Sequence, residues 1–156
     1  MNKVTVIGGG LAGAEACYQL AKRGVNVDLY EMRPFKTTPA HKTGDFAELV
    51  CSNSLKSADV NTAQGALKRE MKLLDSLIIR AAENTSVPAG GALAVDREKF
   101  SEYIKNELNK FDNINVIREE RTEITDYTII ATGPLSSDGI SESLAAVTGG
   151  GYLNFF

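Results

Sequence analysis

A chain of 156 residues, 43% hydrophobic and 24% charged, suits one folded domain with a real core and has the composition of an ordinary globular protein. Its net charge of −3 supplies no general basic face, so DNA is not an expected partner. No apolar run is long enough to cross a membrane, no secretory signal precedes the first strand, and two cysteines make no disulfide framework, which together point to the cytoplasm.

Val4-Thr5-Val6-Ile7 reads as a short buried strand, the kind that favours a parallel sheet. A glycine-rich turn, Gly8 to Gly13, follows at once. Residues 12–23 then read as a helix with Ala16, Cys17, Leu20 and Ala21 on its apolar face. Lys22 and Arg23 suit the negative end of its dipole, and Gly24 is a natural stop. Val25 to Tyr30 gives the second strand of a parallel βαβ unit.

Residues 32–61 are rich in Pro, Gly, Ser and Thr and read as a long irregular stretch, which inside a compact domain is functional or disordered. The spacing of Ala63, Leu67, Met71, Leu74, Leu77, Ile78 and Ala81 predicts one helix over Thr62 to Asn84. Pro88-Ala89-Gly90-Gly91 breaks the chain. The next helix starts at the N-cap Asp96 and runs to about Lys110, with Phe100, Tyr103, Ile104, Leu108 and Phe111 on one face and Glu107 its only polar member. Ile114 to Val116 and Tyr127 to Ala131 are the remaining strands. Gly149-Gly150-Gly151 reads as a flexible spacer, and Tyr152 to Phe156 as an end cut short.

The glycine turn carries the chemistry. Gly8 allows a tight turn, Gly10 lets a pyrophosphate approach the backbone, and Gly13 lets helix and strand pack closely. The expected cradle is Gly8, Gly9, Gly10, Leu11, Ala12 and Gly13, with the free N–H groups of the helix start facing the anion. Glu31 ends the second strand, where a carboxylate can accept hydrogen bonds from ribose hydroxyls and would repel the 2′-phosphate of NADP; Met32 and Arg33 follow it in the same site.

The turn alone does not separate FAD from NAD, and an NAD-dependent oxidoreductase stays open on these residues. Ala131-Thr132-Gly133, after a hydrophobic strand, resembles the second short motif of flavoproteins with two dinucleotide-binding domains, and favours FAD. Asp96-Arg97 resembles a flavoprotein segment whose arginine approaches the cofactor; an ordinary first-turn arginine is the alternative. The fold class expected is α/β, a Rossmann-like βαβ arrangement binding FAD or NAD(P) on a parallel sheet. No His/Cys cluster has ligand spacing, so no metal site is expected. Two local basic clusters exist, Arg33, Lys36 and Lys42 in one loop and Lys68, Arg69 and Lys72 on one helix; solvated surface is the simpler reading of each.

Four segments are more specific than the turn: Asp28 to Pro34, Thr38 to His41, Glu48 to Leu55 and Val87 to Arg97. Together they resemble the folate- and FAD-dependent tRNA uracil-5-methyltransferases, the TrmFO or Gid family, over nearly the whole chain. The sister GidA or MnmG type, which modifies the tRNA wobble uridine, shares the opening Gly-Gly-Gly-x-Ala-Gly-x-Glu-Ala but not the segments around Glu31 and Cys51.

The resemblance implies that methylenetetrahydrofolate gives its carbon to a T-loop uridine of tRNA, with electrons from reduced FAD and recharging by NAD(P)H. It also implies that Cys51 acts close to the flavin, as a nucleophile or proton relay, where the residue alone reads as a small packed side chain of a loop. Cys17 reads as packing. His41 resembles a family position in the same loop, with a surface role the plainer reading, and Asn53 and Ser54 are candidates for capping or positioning that loop. Family members are much longer, so residues 1–156 are expected to be the N-terminal part of the FAD-binding domain, without the later catalytic and inserted domains. A non-catalytic FAD- or ADP-binding fragment is the alternative.

Overall fold

The computed structural model describes residues 3–150, so the end at Gly151 to Phe156 lies outside the described residues. β1 (Lys3–Ile7), built from alternating Val and β-branched residues, sits inside a four-stranded sheet of order β6-β2-β1-β7. All three pairings are parallel. β2 (Asn26–Tyr30) runs alongside β1 over its full length, with Lys3 opposite Asn26 and Ile7 opposite Tyr30. β6 (Ile114–Ile117) and β7 (Thr128–Ile130) form the two edges. The α/β class and the parallel sheet are as the sequence predicts.

α1 (Leu11–Lys22) crosses from β1 to β2 and packs Ala14 and Cys17 on the sheet, both fully buried. Gly24 takes φ +76 just beyond it, the left-handed turn that releases the chain into β2. Phe100, Ile104 and Leu108 of α4 (Arg97–Leu108) complete the core with Val6, Val27 and Leu29. Asp96 caps α4 as expected, accepting from the Lys99 backbone N–H at 3.2 Å. Glu107, the polar member of that face, is half-buried and bonded to Arg80 at 3.2 Å.

A second, antiparallel sheet of order β3-β5-β4 is built from β3 (Ser54–Ser57), β4 (Ser86–Val87) and β5 (Ala92–Val95). The sequence does not announce it. β3 and β4 carry serines and have two to four residues, too few to show a period, and only pairing with β5, distant for β3 and next along the chain for β4, makes them strands. Asn53, just before β3, exchanges hydrogen bonds with Val95 at 2.9 and 3.0 Å and so anchors its loop to β5.

The single helix expected over residues 62–84 is two: α2 (Ala63–Leu73) and α3 (Leu77–Asn84). Asp75 between them has φ +56, and Ser76 caps α3. The break is stabilised from α1. The Glu15 carboxylate accepts from the backbone N–H groups of Leu77 and Ile78 at 3.2 and 3.0 Å, and from the Ser76 hydroxyl at 2.7 Å. No local pattern reveals a cap that comes from sixty residues away. The apolar stripe divides accordingly: Leu77, Ile78 and Ala81 are buried, whereas Ala63, Leu67 and Leu74 face solvent.

Thr132 and Gly133 lead through a short 3-10 turn (Gly133–Leu135) into α5 (Asp138–Thr148), a helix of small residues whose weak apolar pattern escapes sequence reading. Gly149, read as spacer, is the left-handed stop of this helix, at φ +82.

Candidate functional site

The C-terminal ends of the four parallel strands open into a crevice of about 500 Å³. Gly8, Gly10, Leu11 and Ala12 line it from the turn between β1 and α1, and Glu31, Met32 and Arg33 from the end of β2. Glu119, Glu120 and Arg121 line it beyond β6, and Ala131, Thr132 and Gly133 beyond β7. A crevice at the carboxyl ends of parallel strands is where open α/β sheets bind ligands.

The glycines have separable reasons. Gly8 has φ +102, and a Cβ on it would lie 2.6 Å from the Ala131 carbonyl oxygen. A Cβ on Gly13 would lie 1.8 Å from the Gly8 carbonyl oxygen, so only glycine lets α1 pack this close to the turn. Gly9, whose reason is not visible in the sequence, carries the loop: a Cβ there would lie 2.7 Å from the Phe46 ring, and its carbonyl accepts from Ala47 N–H at 2.9 Å. Gly10 is different. It has φ −71, which any residue adopts, and a Cβ on it would meet nothing within 4 Å. That Cβ would stand in the open crevice. Gly10 gives α1 no side-chain cap, and the first turn has no acidic residue. The helix start therefore offers uncapped N–H groups and the positive end of its dipole to an anion.

Glu31 is buried at the tip of β2 and accepts four hydrogen bonds. Oε2 takes Gly9 N–H at 2.8 Å and Arg33 Nη2 at 3.0 Å; Oε1 takes Arg33 N–H at 2.9 Å and Nε at 3.0 Å. Burial works to raise its pKa, but the Arg33 and Gly9 donors outweigh it and hold the carboxyl below the usual glutamate range. Four donors fill the roughly four lone-pair positions of a carboxylate. Any further donor to Glu31, a sugar hydroxyl included, would have to replace one of these four.

Arg33 is not part of a basic surface patch, one of the two readings of its cluster. Its side chain is 3% exposed and also pairs with Glu48, Nη1 to Oε2 at 3.0 Å. Glu48 in turn accepts from Lys42 and Thr43 N–H at 2.8 and 3.2 Å, folding the loop back on itself. These donors and Arg33 outweigh its burial and keep the Glu48 carboxyl below the usual range. Lys36 pairs with Glu120 at 2.6 Å, and on α2 Lys72 pairs with Glu83 at 2.7 Å. Arg118 lies 4.4 Å over the Phe46 ring and donates to the carbonyls of Arg33 and Gly44 at 3.0 and 2.7 Å. The stretch after β2 is thus built against the glycine turn. Sequence reasoning assigns no role to Glu48 and Arg121, which line the crevice, or to Phe46 and Arg118, which brace its loop; Phe46 and Arg118 meet from distant segments, whereas Glu31 with Arg33, two residues on, is a local signal.

His41 lines the crevice with its Nδ1 2.6 Å from Thr38 Oγ1, and burial, then the Arg33 charge, pushes its pKa down. Two residues of the expected site lie elsewhere. Arg97 is exposed at the start of α4, beside a second, more open depression of about 430 Å³ with Asn53 and Val87. Cys51 is exposed and does not line the crevice, although its neighbour Val50 does. Cys17 is packed as expected, and burial pushes its thiol up to about 12.

The model of the glucose inhibited division protein A family matches residues 3–155. The chain belongs to this family. This member is 60% identical over 157 residues to the methylenetetrahydrofolate–tRNA-(uracil-5-)-methyltransferase TrmFO of Lactobacillus helveticus, covering 99% of the chain and 39% of that protein. It is also 60% identical over 157 residues to the enzyme of the same name from Exiguobacterium sibiricum, covering all of the chain and 36% of that protein. The chain thus spans rather more than a third of these relatives' length. Among solved structures, CtdE in complex with FAD and a substrate superposes with a TM-score of 0.54 at 16% identity, over 92% of this chain and 40% of CtdE. That likeness shows the fold.

Proposed function

We propose that this chain forms the ADP-binding crevice of an FAD-dependent enzyme. In it, a one-carbon unit passes from methylenetetrahydrofolate to C5 of a T-loop uridine in tRNA. The observation that carries the cofactor reading is the open space over Gly10, faced by an uncapped helix start and flanked by Glu31 at the end of the neighbouring strand. The residues suit an adenine dinucleotide. The diphosphate rests on the backbone from Gly8 to Ala12, Glu31 takes the adenosine ribose, and Ala131 to Gly133 border the far side. The names of relatives 60% identical to the chain support the methyl-transfer reading.

Bound FAD supplies the electrons of the transfer, with NAD(P)H to recharge it. This chain's own residues orient the cofactor and fix the loop that leads to Cys51, the family's candidate thiol near the flavin. Arg97 remains a candidate cofactor contact by resemblance. The tRNA-binding surface is not assigned.

Two measurements test the reading. Calorimetric titration of the chain with ADP and with FAD should give saturable heat; no heat with either removes the crevice as a dinucleotide site. A chain of the relatives' full length that carries these residues should incorporate the folate carbon into undermethylated tRNA, and incorporation that needs S-adenosylmethionine instead would overturn the reaction assigned. A second reading, a binding module without turnover, is favoured by a complete glycine cradle from which the candidate thiol Cys51 lies apart. Turnover by the 156-residue chain itself would exclude it.

A further inference from the structure

His41 is the only histidine of the chain, and it stands in the wall of the crevice. The loop that carries it is tied to the glycine turn by Ala47, whose N–H donates to the Gly9 carbonyl at 2.9 Å. Thr38 Oγ1, 2.6 Å from Nδ1, holds one side of the ring. A hydroxyl donates to a neutral ring or accepts from a charged one, so this contact serves both protonation states. Nε2 has no hydrogen-bond partner among the described residues. It is not buried, since Arg121 Nε is the one buried side-chain nitrogen or oxygen left unpaired there. The wall thus carries a fixed ring with one nitrogen free.

The charged groups of the crevice do not hold that ring as a cation. Arg33, Glu48 and Glu31 are the ones that act on it. Desolvation of the ring, then the Arg33 charge, favours the neutral form, and the two carboxylates oppose them only in part. Both carboxylates are already taken. Arg33 bridges them, and Glu48 also accepts from Lys42 and Thr43 N–H. In the wall beyond β6, Glu120 pairs with Lys36 and Arg121 with Glu123, leaving Glu119 as the remaining acid there. Lys42, the next residue of the loop, is exposed. A protonated His41 therefore lacks a carboxylate of its own, and a diphosphate on the adjoining glycine turn would be the anion that meets it.

We propose that His41 is an anion-binding group of this crevice, supplied by the loop: Nε2 donates to a phosphate oxygen of the ligand, and the ring takes up a proton from solvent as the ligand enters. The proposal rests on the ADP reading above. It adds a contact that the glycine turn does not provide, and a dependence of binding on pH. The N–H groups at the start of α1 do not titrate; the contact from His41 strengthens with acid.

A single histidine gives an unambiguous readout. The test follows the imidazole carbon–proton NMR signals of the 156-residue chain from about pH 5 to about pH 8, alone, saturated with ADP, and with adenosine, which has no phosphate. The expected result is a His41 midpoint about one pH unit higher with ADP than without, and no change with adenosine. ADP affinity should gain about tenfold more on acidification in the parent than in His41→Asn, a comparison that cancels the titration of the ligand's own phosphates. A midpoint unchanged or lowered by ADP overturns the proposal. So does an equal rise with adenosine, which would assign the effect to the sugar or base. The midpoint is read on the parent chain, so it decides the question even if the asparagine variant does not fold. A parent chain that gives no calorimetric heat with ADP overturns the ADP reading itself, and this proposal with it.

Discussion

Arg33 grips Glu31 with a two-pronged contact, Nε and Nη2 each 3.0 Å from a different carboxylate oxygen, and reaches with Nη1 to Glu48. One buried cation thereby joins the acid at the tip of β2 to the loop that closes over the glycine turn. Removing it leaves two carboxylates without their cation, one of them buried. Arg33→Met should destabilise the fold by about 3–5 kcal/mol, whereas Arg33→Lys, which keeps a charge without the fork, should lose less. Urea unfolding curves measure both. A methionine variant as stable as the parent would show that the network contributes little.

The glycines give a stability–binding split. Gly10→Val should fold with near-parental stability, since its backbone is ordinary and a Cβ there meets nothing within 4 Å, yet should abolish ADP and FAD binding by filling the crevice. Gly13→Ala should do the reverse first, losing stability because its methyl group lands on the Gly8 carbonyl. Melting temperatures and ligand titrations on the two variants separate the roles. Unchanged affinity in Gly10→Val would refute the placement of the phosphates.

Acid should unfold this protein partly through Glu31. Its carboxyl is held below the usual value in the folded state, so its contribution is fully present above the unfolded value of about 4.3 and is lost as pH falls through the folded value. Glu48 acts in the same direction. His41, whose pKa is also depressed, adds a separate loss that begins higher, from about pH 6.5 downward. The stability of Glu31→Gln, lower overall, should therefore fall less steeply than the parent's below about pH 4.5. Parallel slopes in that range would assign the acid sensitivity elsewhere.

Glu15 should behave as a cap of α3 although it belongs to α1. Glu15→Ala removes the acceptor of two backbone N–H groups and the Ser76 hydroxyl, and should cost about 1–2 kcal/mol. Hydrogen exchange at Leu77 and Ile78 should quicken in the same variant; protection equal to the parent's would mean that Ser76 alone suffices.

The two thiols should differ sharply. Cys51 is exposed and should react with a thiol reagent in the native state, while Cys17, buried and with its pKa pushed up to about 12, should react only on unfolding. Two fast equivalents would contradict the packing of α1 on the sheet.

What the sequence determined by itself is the part of the molecule encoded locally. A β-branched strand, a glycine turn, an amphipathic helix with a glycine stop and an acid at the next strand's end are all set within thirty residues, and Asp96 likewise caps α4 from its own neighbourhood. Tertiary structure decided whatever needs two distant segments at once. The break at Asp75 is stabilised by Glu15, the serine-rich strands β3 and β4 exist only by pairing with β5, and Arg33, by its spacing a plausible surface charge, is buried because Glu31 and Glu48 meet around it. The Glu15 cap and the pairing of β3 with β5 join segments remote along the chain, and Arg33 is buried only because Glu48, fifteen residues on, folds back to meet it beside Glu31; such contacts leave no period. They come into being only when the sheet has brought their partners together.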